Sequence, residues 1–269
     1  MSIAFVSSMN SKLYDSYGKR FIEEFANFSS NEIVLYIIFE GDFPIGAQNM
    51  SSNVIFVSLN NQRHINFMNK FGKLNDAKGL RMNKFTENGQ LKVNFYFDYR
   101  WDAIKFSFKP FSIHQSLSIL PKEIDYLIWT DADLRCKKKF YSSDIMSFLP
   151  KGDEIMSYLG RKGIYSECGF LGFNLKNSST IKFINRIIDI YENGEIFSLK
   201  EWHDSYIWDY VRIEFENHKK GVFKNISGDA YTKAHVYVNT GLNEYFDHLK
   251  GPNRKERGSS FKEDFNKLL

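Results

Sequence analysis

The chain opens with a short apolar run, Ile3-Ala4-Phe5-Val6, that predicts a buried strand. From Lys12 to Phe28 the apolar positions change period. Phe21, Ile22, Phe25 and Phe28 recur at helical spacing. Two further unbroken apolar runs, Ile33 to Phe39 and Val54 to Val57, predict a second and a third buried strand. Strand, helix, strand without polar alternation points to a parallel α/β sheet covered on both faces. Asn60 to Gly72 predicts a helix. Lys73 to Asp98 is polar, rich in Lys and Asn and weakly patterned, which suits an ordered insertion or a mobile flap. Trp101 to Leu120 predicts a helix kinked at Pro110.

The second half begins after the run Tyr126-Leu127-Ile128-Trp129. Ile155 to Leu159 and Cys168 to Leu175 predict strands around a loop, and Ser179 to Asn193 an amphipathic helix. Lys200 to Asn217 predicts another helix, Val222 to Ile226 and Ala234 to Val238 strands, and the tail from Lys250 a charged, irregular end. With no internal repeat and no linker, the chain is expected to form one domain, 1–269. Its two halves would be 1–135 and 136–269.

Composition narrows the classes of function. The 269 residues are 43% hydrophobic and 25% charged, which suits a globular protein with a sizeable core. Aromatics reach 17%, enough to line a cleft as well as fill a core. A net charge of +4 is too weak to argue for nucleic acid, so no nucleic-acid partner is expected; a basic cleft for an anionic small molecule fits. Cys136 and Cys168 have no zinc spacing and read as free thiols in a reducing compartment. Neither a leader peptide nor an apolar run of about 18 residues is visible, so a soluble, cytoplasmic protein is expected, with peripheral membrane contact left open.

The chemistry concentrates where the strand ending at Trp129-Thr130 runs into Asp131-Ala132-Asp133. In open α/β sheets ligands bind beyond the carboxyl ends of strands. Two carboxylates at i, i+2 leave the strand on one side and repel each other unless a cation joins them. Their oxygens are ligands that Mg²⁺ and Mn²⁺ favour. The plainer alternative is a turn or helix cap.

Asp131-Ala132-Asp133 resembles the DxD motif of metal-dependent glycosyltransferases of the GT-A fold. Further stretches follow in the family's order. Glu167-Cys168-Gly169-Phe170-Leu171-Gly172-Phe173-Asn174 resembles the strand behind the acceptor site, where glycines admit close approach of a ligand or another backbone. Glu201-Trp202-His203-Asp204-Ser205-Tyr206-Ile207-Trp208-Asp209 puts Asp204 near a helix start on the inward face. Asp247-His248-Leu249-Lys250-Gly251 is similar to the family's C-terminal His-x-Lys-Gly motif. Ser7-Ser8 and Tyr14 to Phe21 resemble the opening segment that meets the nucleotide. Lys105 and Lys109 are spaced i, i+4, so that both can face one anion.

The resemblance implies an α/β protein of the GT-A type, a Rossmann-like mixed sheet with helices on both faces. It implies transfer from a nucleoside diphosphate sugar, UDP-linked by the usual pairing with this metal arrangement, to a glycan or other hydroxyl acceptor, as in surface polysaccharide biosynthesis. Asp131, Asp133 and His248 would hold Mn²⁺ or Mg²⁺. Ser7, Lys105, Lys109, Asp131, Lys250 and Gly251 would contact the donor. Asp204, then Glu167, are the candidate bases, a role an inverting enzyme needs and a retaining one does not. Three rivals remain. A nucleotidyltransferase would carry a glycine- and basic-rich loop after the first strand, which Ser7-Ser8-Met9-Asn10-Ser11 lacks. A haloacid-dehalogenase-type enzyme would carry its Asp-x-Asp after the first strand. A carbohydrate-binding module would have lost turnover.

Overall fold

The computed structural model describes residues 1–44, 51–228 and 235–265. Its centre is a seven-stranded sheet built from β1 (Ile3–Met9), β2 (Val34–Phe39), β3 (Val54–Ser58), β6 (Tyr126–Thr130), β8 (Met156–Leu159), β9 (Glu167–Asn174) and β10 (Phe223–Asn225). The strand order is β10-β8-β9-β6-β1-β2-β3. β1, β2, β3 and β6 are mutually parallel, while β9 runs antiparallel to both β6 and β8. The sheet is therefore mixed.

The unbroken apolar runs follow from burial on two faces. Along β1, Ile3 and Phe5 enter one core with Phe21, Ile22 and Phe25 of helix α1 (Lys19–Phe28). Ala4 and Val6 enter the other. That second core includes side chains of α2 (Gln62–Phe71), α3 (Ala103–Ile119), α4 (Ser178–Glu192) and α5 (Asp204–His218). Helix α3 runs through Pro110. The carbonyl of Phe106, which loses its partner there, accepts a hydrogen bond from the Tyr191 hydroxyl at 3.5 Å.

From β1 the chain moves outward to β2 and β3, then returns to lay β6 on the other side of β1. The carboxyl ends of β1 and β6 thus meet where the winding direction reverses, the place such sheets bind ligands.

Several expectations need correction. Residues 73–98 are an ordered insertion, one of the two expectations, but a regular one: they are largely a two-stranded ribbon, β4 (Lys78–Glu87) against β5 (Gln90–Asp102). The tip residues Asn88 and Gly89 both have positive φ, 51° and 76°, the geometry of a tight hairpin turn. The expected helix from Lys12 is interrupted: Tyr14–Gly18 is a π-helical turn before α1. Of the strand expected over Ala234 to Val238, Ala234 lies outside the described residues and Tyr237–Asn239 is a 3₁₀ turn. The tail is ordered through helix α6 (Pro252–Arg257), with Pro252 at its first turn and Gly258 at φ 76° closing it. The helix expected from Lys200 begins at Asp204, capped by His203.

Candidate active site

Two strands too short to stand out by pattern assemble the site. Asp133 is followed directly by β7 (Leu134–Cys136), which pairs antiparallel with β11 (Phe246–His248). The register sets His248 opposite Leu134, and the Leu249 N–H donates to the Asp133 carbonyl at 3.1 Å. Residues more than a hundred positions apart are therefore joined by backbone pairing. Asp247 ties the tail in place by accepting from the Ser260 N–H (2.9 Å) and hydroxyl (2.5 Å).

His248 Nε2 lies 3.1 Å from Asp133 Oδ1 and 3.8 Å from Asp131 Oδ2. Among the described residues these three form the one cluster of His, Cys, Asp or Glu suited to a cation, with ligand atoms within 4.8 Å of one another. Asp133 Oδ1 is buried and has no hydrogen-bond partner of good geometry, as expected for an atom meant for an ion. Two carboxylates and an imidazole fit Mn²⁺ or Mg²⁺. Gly169 makes room for this arrangement: a Cβ there would lie 2.7 Å from His248 Cε1. Gly172 serves packing instead, since its Cβ would meet Ser157 Oγ at 2.5 Å.

Lys109 stands between two carboxylates, 2.9 Å from Asp131 Oδ1 and 2.6 Å from Asp204 Oδ2, and donates to the Cys168 carbonyl at 3.0 Å. Burial works to lower its pKa, but Asp131 and Asp204 outweigh that and hold it above the usual lysine range. Asp204 is the mirror image: burial works to raise it, yet Lys109 keeps it below the usual carboxylate range. At Asp133 burial is likewise overcome, by His248 and Lys255, and its pKa is lowered. At His248 burial opposes, but Asp133 and Asp131 raise the pKa. Lys255, on α6, reaches Asp133 Oδ2 at 2.7 Å and lies over the Tyr17 ring at 4.7 Å. Glu167 is buried, pairs with Lys250, and lies 3.8 Å from Arg161.

Two clefts converge on this cluster. One, of about 970 Å³, is lined by Ser8, Asn10, Tyr17, Glu40, Lys105 and Trp129 among others. The other, of about 1090 Å³, is lined by Tyr99, Arg161, Tyr165, His203, Lys250 and Gly251 among others. Lys109, Asp131, Asp133, Asp204 and Lys255 line both.

No family model matches the chain, and no curated protein sequence does. Solved structures do. A glycosyltransferase involved in the glycosylation of the major capsid of PBCV-1 superposes with a TM-score of 0.51, over 96% of this chain and 100% of that one, at 11% identity. The chain has the GT-A glycosyltransferase fold. Mouse xyloside xylosyltransferase 1 in its apo form gives a TM-score of 0.49 at 11% identity, over 84% of this chain and 86% of that one. GlyE of Streptococcus pneumoniae TIGR4 gives 0.47 at 13% identity, over 84% of this chain and 45% of that one.

Within this GT-A sheet most residues singled out from sequence come to the clefts: Lys105, Lys109, Asp131, Asp133, Glu167, Asp204, His248, Lys250 and Gly251. Ser7 does not. It is fully buried inside β1, and by strand alternation its neighbour Ser8 lines the cleft instead. Sequence reading passed over Glu40 and Arg161. Both follow the carboxyl ends of strands, β2 and β8, so the rule that singled out Asp131 would have found them. Tyr165, near Arg161 in the same loop, carried no periodic signal.

Proposed function

We propose that this protein transfers a glycosyl group from a nucleoside diphosphate sugar to a hydroxyl acceptor, and that residues 1–269 act as one domain with two halves. The observation that carries this reading is the meeting of two clefts at Asp131 and Asp133, with His248 in the wall of one of them. A hydrolase or a binding module needs one such cleft; a transferase needs a donor and an acceptor to meet.

In this reading the cleft beside β1 and β2 takes the donor, with Ser8 in the place first given to Ser7 and Lys105 facing the diphosphate. Asp131, Asp133 and His248 would hold the cation. Bound there, Mn²⁺ or Mg²⁺ would offset the negative charge of the diphosphate leaving group. Lys109 and Lys255 add fixed positive charge around the same point; Lys250, whose pKa burial pushes down to about 7, adds its charge when protonated, and Gly251 leaves the space beside its backbone open. The aromatic cleft takes the acceptor. Asp204 reads best as a hydrogen-bond acceptor for a sugar hydroxyl, because its ion pair with Lys109 and lowered pKa weaken it as a base. Glu167 is a second carboxylate in the wall of the same cleft, paired with Lys250 and 3.8 Å from Arg161. UDP is the nucleotide assigned, surface glycan synthesis the setting, and the cytoplasm the compartment, in keeping with two buried free thiols.

Thermal shift against UDP, GDP, CDP and ADP, each with and without Mn²⁺, tests the reading. The expected result is a rise in Tm that needs both one nucleotide and the metal and is lost in Asp133→Ala and His248→Ala. No rise with any pair at millimolar ligand overturns the metal-site reading.

A further inference from the structure

Apart from the cleft-lining Tyr99, the β4–β5 ribbon plays no part in the chemistry above, yet among the described residues it carries the largest concentration of exposed apolar side chains. Its register sets Leu80 opposite Phe97, Met82 opposite Phe95, Lys84 opposite Val93 and Thr86 opposite Leu91, so these eight share one face. On that face Leu91 is 69% exposed, Phe95 66%, Phe97 57% and Met82 53%. The opposite face carries Arg81, Asn83, Lys92 and Asn94, with Phe85 and Tyr96. This is the pattern of a sheet covered on one side. A two-stranded ribbon is marginal alone in water.

The ribbon's base is firmly held. The Ile104 N–H donates to the Ala77 carbonyl at 3.1 Å and the Trp202 N–H to the Arg100 carbonyl at 2.7 Å. Arg81 stacks over Trp101 at 4.4 Å and Trp202 at 5.4 Å. Ten residues of strand carry the apolar face about 30 Å outward from there.

Charge decides what covers it. Lys84 sits in the middle of the apolar face and makes no ion pair among the described residues. In a face-to-face pair of two copies Lys84 would be buried with no acid on that face to pair it: a two-fold axis across the strands sets it against its own counterpart, and one along them sets it against Val93. A bilayer surface with anionic headgroups accepts the same lysine, since its stem lies along the apolar layer and its ammonium reaches phosphate. Phe and Tyr are suited to that boundary. The face also runs toward the acceptor cleft. Tyr99, in the same strand as Phe97, lines that cleft, with its ring 6.0 Å from His203.

We propose that the apolar face of the β4–β5 ribbon, Leu80, Met82, Leu91, Val93, Phe95 and Phe97 around Lys84, docks on an anionic lipid surface and sets the acceptor-side cleft beside the headgroups. The docking itself does not depend on the transferase reading; only the use made of it does.

Vesicle flotation tests it, with phosphatidylcholine alone and with about a third phosphatidylglycerol. The protein is expected to float with the anionic vesicles, and less so at high salt. Leu91→Ser/Phe95→Ser/Phe97→Ser should reduce binding about tenfold or more, and Lys84→Glu should remove the preference for phosphatidylglycerol. Asp133→Asn should float as the parent does, which separates this proposal from the metal site. Should the triple variant fail to fold, Phe95→Ser and Lys84→Glu carry the test. The proposal is overturned if the parent floats with neither vesicle, or if the variants float unchanged. It is also overturned if sedimentation shows a dimer that the variants convert to monomer, which gives the face to a second copy.

Discussion

The two clefts have nearly the same volume, about 970 and 1090 Å³, and quite different walls. The one beside β1 and β2 joins small polar side chains and lysines to the rings of Tyr17, Phe108 and Trp129, with Glu40 among them. The other is walled by Tyr99, Tyr165, Tyr206 and Tyr210, with Arg161 and His203 between them. Small polar groups and ammonium ions suit a ribose and a diphosphate; ring faces suit the C–H faces of sugars. Size therefore says little about which substrate goes where, and lining chemistry says much. Everything shared between the clefts is charged apart from Phe106.

The severest way to break this comparison is to remove the charge at the junction. Asp133→Asn is expected to lower turnover by about a thousandfold or more, the loss of several kcal/mol of charge stabilisation. Calorimetric Mn²⁺ titration should lose its heat in the same variant. Turnover within tenfold of the parent would mean that the clefts do not meet at a cation.

Lys109 is the partition between the clefts, and its removal should be felt in folding. Lys109→Met leaves Asp131 and Asp204 without the cation that joins them, at a cost of about 3–5 kcal/mol. For a chain of this size that is a fall in Tm of roughly 10 °C. Adding Asp204→Asn should recover part of it, because the neutral amide no longer needs a counter-charge. A double variant no more stable than the single would show that Lys109 acts through packing.

How much of this was legible beforehand depended on length of pattern. The long apolar runs of β1, β2 and β6 were readable because burial on both faces leaves no polar alternation to confuse. β7 and β11, three residues each, were not, although their pairing is what sets His248 against Asp133. A strand of three has no period to detect, and its partner lies more than a hundred residues away. The ribbon failed for a different reason. Its apolar positions alternate with Lys and Asn, so the segment reads as polar, and only the register shows that one face is apolar. His248 itself could be named only from the motif around it, and Ser7 shows the limit of that method: a motif fixes a neighbourhood, while strand alternation decides which of two serines faces the ligand.

A test confined to the cleft beside β1 and β2 comes from Glu40. Burial pushes its carboxyl up to about 7, with the side chains of Ser8 and Asn10 acting the other way. The folded state therefore binds a proton more tightly than the unfolded chain, whose carboxyl titrates near 4.5. The stability this provides is complete below about pH 4.5 and is lost as pH rises through about 7. The swing is about 2–3 kcal/mol after allowance for partial exposure. Glu40→Gln removes it. Relative to the parent, the variant should gain stability between pH 5 and pH 8, read as the difference in Tm, while the aromatic cleft stays unaffected. A constant difference across that range would place Glu40 in contact with water or with Lys12 and Lys78, which line the same cleft.

The smallest effect expected is at Gly169, which lies behind the metal cluster. A Cβ there would stand 2.7 Å from His248 Cε1 and 3.0 Å from Nδ1, so the ring must shift. The ring has little freedom. It is buried, with the Tyr237 ring at 5.2 Å, the His235 ring at 5.8 Å, and its own carbonyl held by His235 Nε2 at 2.8 Å. Displacing a ligand by a few tenths of an ångström without removing it should weaken Mn²⁺ binding about tenfold, close to 1.4 kcal/mol. Gly172→Ala is the control on the same strand, because its Cβ would press on Ser157 and Leu149 rather than on the imidazole. It should cost stability and leave metal affinity intact. If the two variants behave alike, the glycines serve sheet packing together. If only Gly169→Ala weakens the metal, one strand does two jobs: it packs β8 at one glycine and seats the imidazole at the other.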